Sequence, residues 1–368
     1  MPKPLVITAA ASLTCAVLFF ALAVTVPGKL YDQQAAKTWE TDGEDAMSYA
    51  QLSVFLARDA GLGYDDLAKL QYDIDQQYIT DGIFIKSESK TARLWVSAAA
   101  AEGTVSLSRD SGGSVTANVS AVIGDYFLFH PLQMMSGQYL NPTEASKDIV
   151  LLDWNTAWRI FGGYEVTGMT LEVAGHPCVV GGVFEKEKDD PTENRIIMSF
   201  ELYERINSAA ELNVLEFILP NPVTGHGKQT LEKQITATEE NRVMVENSVR
   251  FELKSLFEAV TGFDDTIAQS KSIALPYFES RARVAEFRGG VFLLLAVVFA
   301  ILPATGVFIA LVKIYRRRSV MWSVVKEKLT GKTERTQDEL QKNNGNDSRT
   351  DNDDNNTELV RYDDAAGN

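Results

Sequence analysis

The sequence feature that most constrains the fold is a long uncharged stretch near the carboxyl end, residues 289–312 (GGVFLLLAVVFAILPATGVFIALV). An α-helix of this length rises about 36 Å, which is enough to cross a hydrocarbon core of roughly 30 Å. We therefore expect a membrane-spanning helix. Lys313 and the run Arg316, Arg317 and Arg318 follow it directly. Because clustered basic residues favour the cytoplasmic side, the chain after residue 313 is predicted to lie inside the cell.

A second uncharged run lies near the amino end, at residues 5–26, after Lys3 and before Pro27. Its length favours an uncleaved span over a signal peptide, whose apolar region is usually about 7 to 15 residues. Ala21-Leu22-Ala23 has the small-x-small form of a cleavage site, so cleavage of a signal peptide is the alternative. The uncleaved form predicts a protein of the plasma membrane with both termini cytoplasmic and residues about 29–288 extracytoplasmic.

Charge and cysteine content narrow the classes of function. The formal net charge is −15 over 368 residues, which argues against nucleic acid as a partner, because binding a phosphate backbone requires clustered Lys and Arg. The cysteines are Cys15, inside the first apolar run, and Cys178, alone in the predicted outer domain. Cys178 therefore has no partner there with which to close a disulfide, and the outer domain must fold on its own apolar core.

Two parts of the outer domain show the order strand, helix, strand. In the first, residues 48–56 read as a strand and Asp65 is placed to cap a helix through about Tyr78, with strands expected afterwards at residues 83–86, 92–98, 103–108 and 114–123. In the second, strands at residues 214–219 and 242–245 flank a helix at residues 228–238. Two such units around an insertion predict an α+β module with a mixed sheet. Residues 31–46 read as a helix that continues from the first span.

The insertion carries the most distinctive residues. It begins with Gly124-Asp125-Tyr126-Phe127 and continues with residues 137–140 (GQYL) and a strand at residues 149–152. Residues 153–162 (DWNTAWRIFG) predict a capped helix that ends on glycine. A strand at residues 175–183 (GHPCVVGGV) contains glycines suited to close β packing.

This order resembles the periplasmic core domain of MacB-type ABC transporter permeases, relatives of FtsX and of lipoprotein-release permeases. The matching positions are residues 124–127, 137–140, 149–152, 157–162 and 168–183. The resemblance implies a split porter-like β-α-β module with an inserted small β-rich module, carried on two transmembrane α-helices. It also implies a separate ATP-binding subunit as partner and a homo- or hetero-oligomer.

The sequence departs from these relatives in two respects. They have four spans per subunit, whereas two are predicted here, and no nucleotide-binding domain is recognisable. Gly331-Lys332-Thr333 is the nearest match to a phosphate-binding loop, but Lys326 stands where that loop needs glycine and no strand precedes it. ATP is therefore expected to be hydrolysed by a partner chain.

No pattern points to catalysis or to a bound cofactor or metal. His130, His176 and His226 are far apart and are interpreted as structural or surface residues, because a metal or general-base site needs converging groups. The acidic pairs are interpreted as solvated patches without the rhythm of a calcium loop: Asp73 with Asp75, Asp189 with Asp190, and Asp264 with Asp265. Ser136 lies outside any nucleophile elbow. We expect no enzyme, no catalytic, cofactor-binding or metal residues, and no cofactor.

The cytoplasmic end divides into two predicted parts. Residues 313–332 contain Met321, Val325 and Leu329 on one helical face among basic residues, which is typical of a helix on an anionic membrane surface; a docking helix for a cytoplasmic ATPase is the alternative. Residues 333–368 carry ten acidic and four basic residues. They are expected to be a disordered acidic tail.

The predicted organisation is therefore a first span, an interrupted outer module, a second span and a cytoplasmic end, with boundaries at residues 1–28, 29–123, 124–205, 206–288, 289–312, 313–332 and 333–368. The leading functional hypothesis is a permease-type or accessory subunit of an ABC transport system whose outer domain couples to a substrate or partner protein. The alternative is a non-transport extracytoplasmic scaffold or sensor that assembles or regulates other surface proteins.

Overall fold

The computed structural model describes residues 3–25, 30–39, 47–84, 93–109, 114–141, 148–186, 190–262 and 273–344. Its helices are α1 (Lys3–Thr25), α2 (Ala35–Trp39), α3 (Tyr64–Thr80), α4 (Tyr126–Phe129), α5 (Trp154–Phe161), α6 (Phe200–Ile206), α7 (His226–Gln234), α8 (Leu253–Thr261) and α9 (Tyr277–Asn344). Its strands are β1 (Tyr49–Leu56), β2 (Val96–Ser108), β3 (Val115–Gly124), β4 (Met134–Gly137), β5 (Ile149–Asp153), β6 (Thr170–Val173), β7 (His176–Phe184), β8 (Arg195–Ser199), β9 (Val214–Pro220) and β10 (Arg242–Glu246). Ala11–Ala300 form one compact unit that holds every one of these strands, and the described part of the other unit, Met1–Ala10 with Ile301–Asn368, is helical.

Four strands and two helices form the split module. The strand order is β10-β1-β9-β2 and each neighbouring pair is antiparallel. The chain visits them as β1-α3-β2 and then, after the insertion, as β9-α7-β10. This is the ferredoxin-like arrangement of two β-α-β units. The predicted α+β fold with an interrupted pair of β-α-β units is therefore confirmed.

The inserted strands extend the same sheet instead of forming a separate one. β2 and β3 make a long antiparallel hairpin, and the order continues β3-β8-β5-β7-β4. β3 pairs with β8 in parallel, with Val119 opposite Ile196 and Ala121 opposite Met198. The sheet is thus mixed, as expected, and the insertion is anchored through backbone hydrogen bonds along β3. The predicted module boundaries at residues 123/124 and 205/206 stay predictions.

Helix α3 covers one face of the sheet with the four apolar residues whose spacing predicted the helix. Leu67, Leu70, Ile74 and Tyr78 are buried, and burial stabilises each such aliphatic side chain by about 1.5–3 kcal/mol. The predicted cap at Asp65 is wrong. The helix begins at Tyr64 with Gly63 as N-cap, and the side chain of Asp66 accepts a hydrogen bond from the Gly63 N–H at 3.1 Å, since the carboxylate at N3 reaches back to the cap.

Helix α5 begins and ends at the residues that the sequence predicts. The Asp153 side chain accepts a hydrogen bond from the N–H of Thr156 at 2.6 Å, and Gly162 closes the helix in the left-handed conformation at φ 78°. The β7 glycines lie close to neighbouring backbone, as expected. A Cβ on Gly182 would lie 2.9 Å from the carbonyl oxygen of Ser136 and 3.0 Å from that of Gln138.

Other elements differ from the sequence prediction. Of the strand expected at residues 83–86, residues 83 and 84 form no strand, and residues 85 and 86 lie outside the described part. The strands expected at residues 92–98 and 103–108 are one strand, β2, because the alanines between them are buried in the sheet and carry no turn. The helix expected at residues 31–46 is a 3-10 turn at Tyr31–Gln33 followed by α2, and residues 40–46 lie outside the described part. Helix α7 begins at His226, two residues early, since the Asn221 side chain accepts a hydrogen bond from the N–H of Gly227.

Two helices are long and apolar enough to cross a membrane, over Val6–Thr25 and Tyr277–Arg316. They pack together within residues 11–300. The ring of Phe19 stacks on those of Phe292 and Phe299 at 6.2 and 5.6 Å, and the Ser12 hydroxyl donates to the carbonyl oxygen of Phe299 at 2.6 Å. Such aromatic and hydroxyl contacts are typical of helix association in lipid, where apolar burial supplies no driving force.

Helix α9 continues without a break from Tyr277 through Pro303 to Asn344. The predicted start of the disordered tail at residue 333 therefore falls inside the helix. Residues 333–344 contain Glu, Gln, Lys and Arg and lack Gly and Pro, and such residues favour a helix even though they cannot form a core. Residues 345–368 lie outside the described part.

Candidate functional site

The side of the sheet opposite α3 buries polar residues, and the first of them is His130, at the end of α4. Its ring is 5 % exposed. Nε2 contacts Oε2 of Glu216 on β9, and Nδ1 lies 3.4 Å from Oδ1 of Asp32. The ring also packs on Tyr126 and Phe278, with centroids 4.7 and 4.2 Å away. An imidazole with one carboxylate at each nitrogen favours the doubly protonated form.

Burial opposes charge on the His130 ring, but the carboxylates of Glu216 and Asp32 outweigh it and raise the pKa of His130 well above its usual value. Burial also opposes charge on Asp32, yet its interaction with His130, aided by Arg281 and Arg195, lowers the pKa of that carboxyl group. The three residues therefore form a buried ion triad. They belong to three segments: the 3-10 turn after α1, helix α4 of the insertion and strand β9.

Hydrogen bonds continue from this triad across the sheet. The Ser53 hydroxyl on β1 donates to Oε1 of Glu216 at 3.2 Å, and Nδ2 of Asn247 donates to the Ser53 oxygen at 2.8 Å. Nη1 of Arg250 then donates to Oδ1 of Asn247 at 3.4 Å. Each of these side chains is buried. A row of partnered polar groups thus crosses the face of the sheet and ends at Arg250.

Arg250 joins the sheet to the start of helix α9. Its Nη1 and Nη2 donate to the two carboxylate oxygens of Glu279 at 2.7 and 2.9 Å, and its Nε donates to Oε2 of Glu286 at 2.8 Å. Arg283, one turn after Glu279, donates to Glu279 at 2.8 Å. Burial disfavours the charged guanidinium, but Glu279 and Glu286 outweigh this and raise the pKa of Arg250.

We call this set the buried polar network. Its members are Asp32, Ser53, His130, Glu216, Asn247, Arg250, Glu279, Arg283 and Glu286. Both of its ends contact the first turn of α9, since His130 packs on Phe278 and Arg250 pairs with the next residue, Glu279. Because breaking a buried pair leaves an uncompensated charge, the network resists separation of the sheet from α9.

A second cation, Arg195, is largely buried and links separate segments of the insertion. Arg195 on β8 donates to the hydroxyl of Tyr126 at 3.3 Å and lies 3.9 Å from Oδ2 of Asp190. Nearby on β2, burial raises the pKa of Glu102, whose Oε2 accepts a hydrogen bond from Ser120 at 3.1 Å. Asp190 was expected in a solvated patch and is instead 6 % exposed, because Arg195 and the N–H of Thr192 partner its carboxylate.

The insertion also bounds a cavity of about 460 Å³ beside α4. The stacked rings of Phe127 and Tyr139, 4.6 Å apart, form part of its wall. The Tyr139 hydroxyl is held by the backbone N–H and carbonyl of Leu132, at 3.1 and 2.5 Å. A volume of this size with aromatic walls suits a ligand or a partner side chain.

The remaining residues considered in the sequence are not brought together. His226 lies 3.3 Å from Asp81, and His176 begins β7 on the far part of the sheet. Asp75 accepts a hydrogen bond from the Trp95 ring, and Ser136 donates to the carbonyl oxygen of Tyr164. Within the described part of the chain, no group of three or more His, Cys, Asp or Glu residues is placed to hold a metal ion. Asp189, Asp264 and Asp265 lie outside that part.

The sequence predicts a structural or surface role for His130 but does not indicate which residues it contacts. The sequence does not indicate the charged residues of the network, which belong to no motif: Asp32, Glu216, Arg250 and Glu279. The first and the last of them are 247 residues apart in the chain. One signal was available. Glu216 interrupts the otherwise apolar strand VLEFILP, and a charge inside a buried strand requires a partner.

The fold and the network together define a class: a membrane-anchored α+β domain whose split sheet is braced against the base of a membrane helix. The family model of the MacB-like periplasmic core domain matches residues 51–249, more than half of the chain. The protein belongs to this family, which is found in permease-like proteins of ABC-type transporters. The resemblance, the fold class and the membrane assignment predicted from the sequence are thereby confirmed.

Several solved structures are similar to this chain, and two are described here. One is the periplasmic region of MacB from Actinobacillus actinomycetemcomitans, at 14 % identity and a TM-score of 0.38, over 54 % of this chain and 89 % of that chain. The other is the extracellular domain of the noncanonic ABC-type transporter YknZ from Gram-positive bacteria, at 13 % identity and a TM-score of 0.37, over 53 % of this chain and 100 % of that chain. Comparison with the curated proteins gives no match.

Proposed function

We propose that this protein is a permease-type or accessory subunit of an ABC transport system, with ATP hydrolysed on a separate chain. In this proposal the large domain, residues about 29–288, is extracytoplasmic and has no catalytic role. It receives movement from helix α9 and changes its contacts with a substrate or a partner protein. The proposal rests on the family membership and on one observation in particular, the buried attachment of α9 to the sheet through Arg250, Glu279 and Glu286.

The attachment supports transmission for a physical reason. A helix that carries movement must not slip relative to the body it moves, and α9 is held near its start by two kinds of contact. Arg250 holds Glu279 and Glu286, which lie two turns apart on α9. His130 and Phe55 both pack on Phe278, at 4.2 and 6.2 Å between ring centroids. Tilting α9 would therefore displace β1 and the insertion together.

The first experiment identifies the partner. The full chain is purified from its own cells in mild detergent, and co-purifying chains are identified by mass spectrometry. A stoichiometric ATP-binding subunit is the expected result, and recovery of surface proteins alone would instead support the scaffold hypothesis and contradict the transport proposal.

The second experiment tests transmission in that complex. Hydrogen exchange of residues 47–262 is compared with and without a trapped ATP state. We expect the exchange of β1 and of the insertion to change on trapping in the wild type and not in the Glu279→Gln/Glu286→Gln variant. Glu193→Gln is the control, because its carboxylate is 73 % exposed in a surface pair with Arg159. Equal responses in all three proteins would exclude the network as the transmitting contact.

The orientation has its own test. Val223→Cys places a thiol at a position that is 72 % exposed on the large domain, and Thr350→Cys places one in the carboxyl-terminal tail. Both are made in a Cys15→Ala/Cys178→Ala background. A membrane-impermeant maleimide should label the first in intact cells and the second only after lysis, because the basic cluster after residue 312 is retained in the cytoplasm. The opposite pattern would overturn the proposed topology.

A further inference from the structure

A second cavity, of about 370 Å³, lies on the large domain beside the end of helix α1. Its wall includes Val24 of α1, Gln33 and Lys37 around α2, Tyr49 of β1, and Glu252 before α8. It is separate from the aromatic cavity of the insertion, which shares none of these residues. The volume is within the range of small-molecule sites.

The cavity lies where the membrane spans end. Val24 directly precedes Thr25, the last residue of the apolar segment Val6–Thr25, and it is 54 % exposed. On the other side, α8 packs against Gly289 and Gly290, the first residues of the uncharged stretch of α9, through Leu256. A ligand in this cavity would therefore be at the depth of lipid headgroups.

Helix α8 offers apolar side chains toward the same boundary. Leu256 and Ala259 are buried, whereas Leu253 and Phe257, one turn apart on another face of the helix, are 50 and 54 % exposed. Exposed apolar residues on a short helix at the level of a membrane interface are typical of contact with acyl chains. Val24 in the wall of the cavity, and Leu253 and Phe257 on the helix that follows Glu252, are thus exposed apolar surface.

One residue of the cavity wall, Gln33, has a buried acceptor without a donor. Gln33 is 4 % exposed, and its Oε1 atom has no hydrogen-bond partner among the described residues. A buried carbonyl oxygen left unpaired is costly, so it calls for an N–H or O–H donor. Lys37 and Glu252 add one positive and one negative side chain to the same wall. The cavity therefore suits a zwitterion that carries N–H donors.

We propose that this cavity binds the headgroup of a phospholipid with a primary ammonium, that is, an aminoethyl phosphate. The ammonium donates to Oε1 of Gln33 and is attracted by Glu252, while Lys37 donates to the phosphate. The acyl chains lie along Val24, Leu253 and Phe257. The lipid would then contact both α1 and α8 and fill the space between them.

The test uses the wild-type chain and a graded set of lipids. The full protein is delipidated in detergent, and binding of phosphatidylethanolamine, its N-methyl and N,N-dimethyl forms, and phosphatidylcholine, all with the same acyl chains, is measured by native mass spectrometry. Each methyl group removes one N–H donor. We expect affinity to fall along the series by about tenfold in total, the loss expected for one charge-assisted hydrogen bond. Equal affinity across the series would overturn the proposal.

Variants and a soluble headgroup complete the test. Gln33→Leu should abolish the preference for phosphatidylethanolamine, and Lys37→Gln should weaken all four lipids, whereas the exposed-site control Gln76→Leu should change nothing. Soluble glycerophosphoethanolamine distinguishes the source of the headgroup. If it binds as tightly as the lipid, the ligand is a free aminoethyl phosphate and the lipid assignment is wrong. Unchanged selectivity in a folded Gln33→Leu protein would also overturn the proposal.

Discussion

Arg250 and Glu279 form a buried bidentate ion pair that joins the large domain to the first turn of helix α9. The two N–O distances are 2.7 and 2.9 Å, and the side chains are 4 and 0 % exposed. Paired charges at this depth cost desolvation energy, which their attraction and further hydrogen bonds offset. Here the offset comes from Glu286, Arg283 and Asn247. The pair is thus better explained as a fixed joint than as a source of stability.

Removing one partner of this joint should be severe. Arg250→Met leaves the buried Glu279 and the partly exposed Glu286 with Arg283 as a neighbouring cation, so we expect a loss of about 3–5 kcal/mol in the free energy of unfolding. Urea unfolding of the detergent-solubilised protein, followed by tryptophan fluorescence, measures it. The control Arg159→Met breaks an exposed pair and should cost less than about 1 kcal/mol.

A double variant separates a joint from a simple stabilising pair. Arg250→Met/Glu279→Met removes both charges, and Arg283 and Glu286 remain as neighbours on α9. We expect it to be more stable than Arg250→Met alone, since no carboxylate at position 279 is left unpaired. If the double variant loses as much free energy of unfolding as the two single variants together, strong coupling between Arg250 and Glu279 is contradicted.

The His130 triad makes stability depend on pH. The pKa of His130 is higher in the folded protein than its unfolded value of about 6.5. Its contribution is therefore fully present below about pH 6.5 and is lost as pH rises through the folded-state pKa, with a slope of up to about 1.4 kcal/mol per pH unit. The depressed pKa of Asp32 acts in the opposite direction, since its contribution is lost as acid protonates it.

His130→Gln tests this dependence directly, because glutamine keeps polar contacts but cannot become charged. Thermal unfolding is measured from pH 5 to pH 9 for both proteins. The wild-type advantage should be largest at the acidic end and shrink toward the alkaline end. His176→Gln, a substitution at the partly exposed start of β7, is the matched control. A difference between wild type and His130→Gln that is constant with pH would mean that the ring is not charged in the folded protein.

Adjacent glycines at the start of the apolar stretch of α9 should respond differently to alanine. A Cβ on Gly290 would overlap the carbonyl oxygen of Leu256 and Cγ2 of Val260, whereas one on Gly289 would meet the terminal Cδ2 of Leu256 at 3.1 Å. The backbone carbonyl of Leu256 cannot move aside as readily as the methyl group at the end of its side chain. Alanine adds about 1 kcal/mol of helix propensity at either site, so Gly289→Ala should be neutral or stabilising.

Gly290→Ala should instead destabilise by about 1–3 kcal/mol, because α8 must shift away from α9. Thermal unfolding of the two variants in the same detergent provides the comparison. A Gly290→Ala protein as stable as Gly289→Ala would show that α8 does not pack on α9 at this point.

How far the sequence predicts this molecule depends on how local the signal is. Residues 289–312 predict a span because the stretch itself is uncharged, and Leu67, Leu70, Ile74 and Tyr78 predict α3 because one helix face repeats every three or four residues. The cap of α5 is predicted for the same reason, since Asp153 and Thr156 are three residues apart. Gly63 and Asp66 are also three residues apart, but there the carboxylate belongs to the later residue and accepts a hydrogen bond from the N–H of the earlier one.

The buried polar network has no local signal. His130 meets Asp32 and Glu216 because the insertion returns α4 to the face of β9, and neither the hairpin of β2 and β3 nor the parallel pairing of β3 with β8 follows from the residues near His130. The helix prediction over residues 31–46 also hid Asp32, which lies in a 3-10 turn. Long-range sheet topology, not residue type, decides which of the three histidines lies between two buried carboxylates.

Cys178 gives a prediction about reactivity in the folded insertion. It lies on β7 with 1 % of its surface exposed, and burial, reinforced by Asp148, raises its pKa to about 11. Because the thiolate is the reactive form, a pKa of about 11 leaves about one thiol in ten thousand ionised at pH 7.

In a Cys15→Ala background, maleimide should label Cys178 only as fast as the protein unfolds, and urea should accelerate the reaction. Val179→Cys, made together with Cys178→Ala, is the control, because the neighbouring position points to the other side of the strand and is 39 % exposed. If native Cys178 reacts as fast as this control thiol, the part of β7 around it opens without global unfolding, and β7 is less tightly held in the sheet than its pairing with β5 implies.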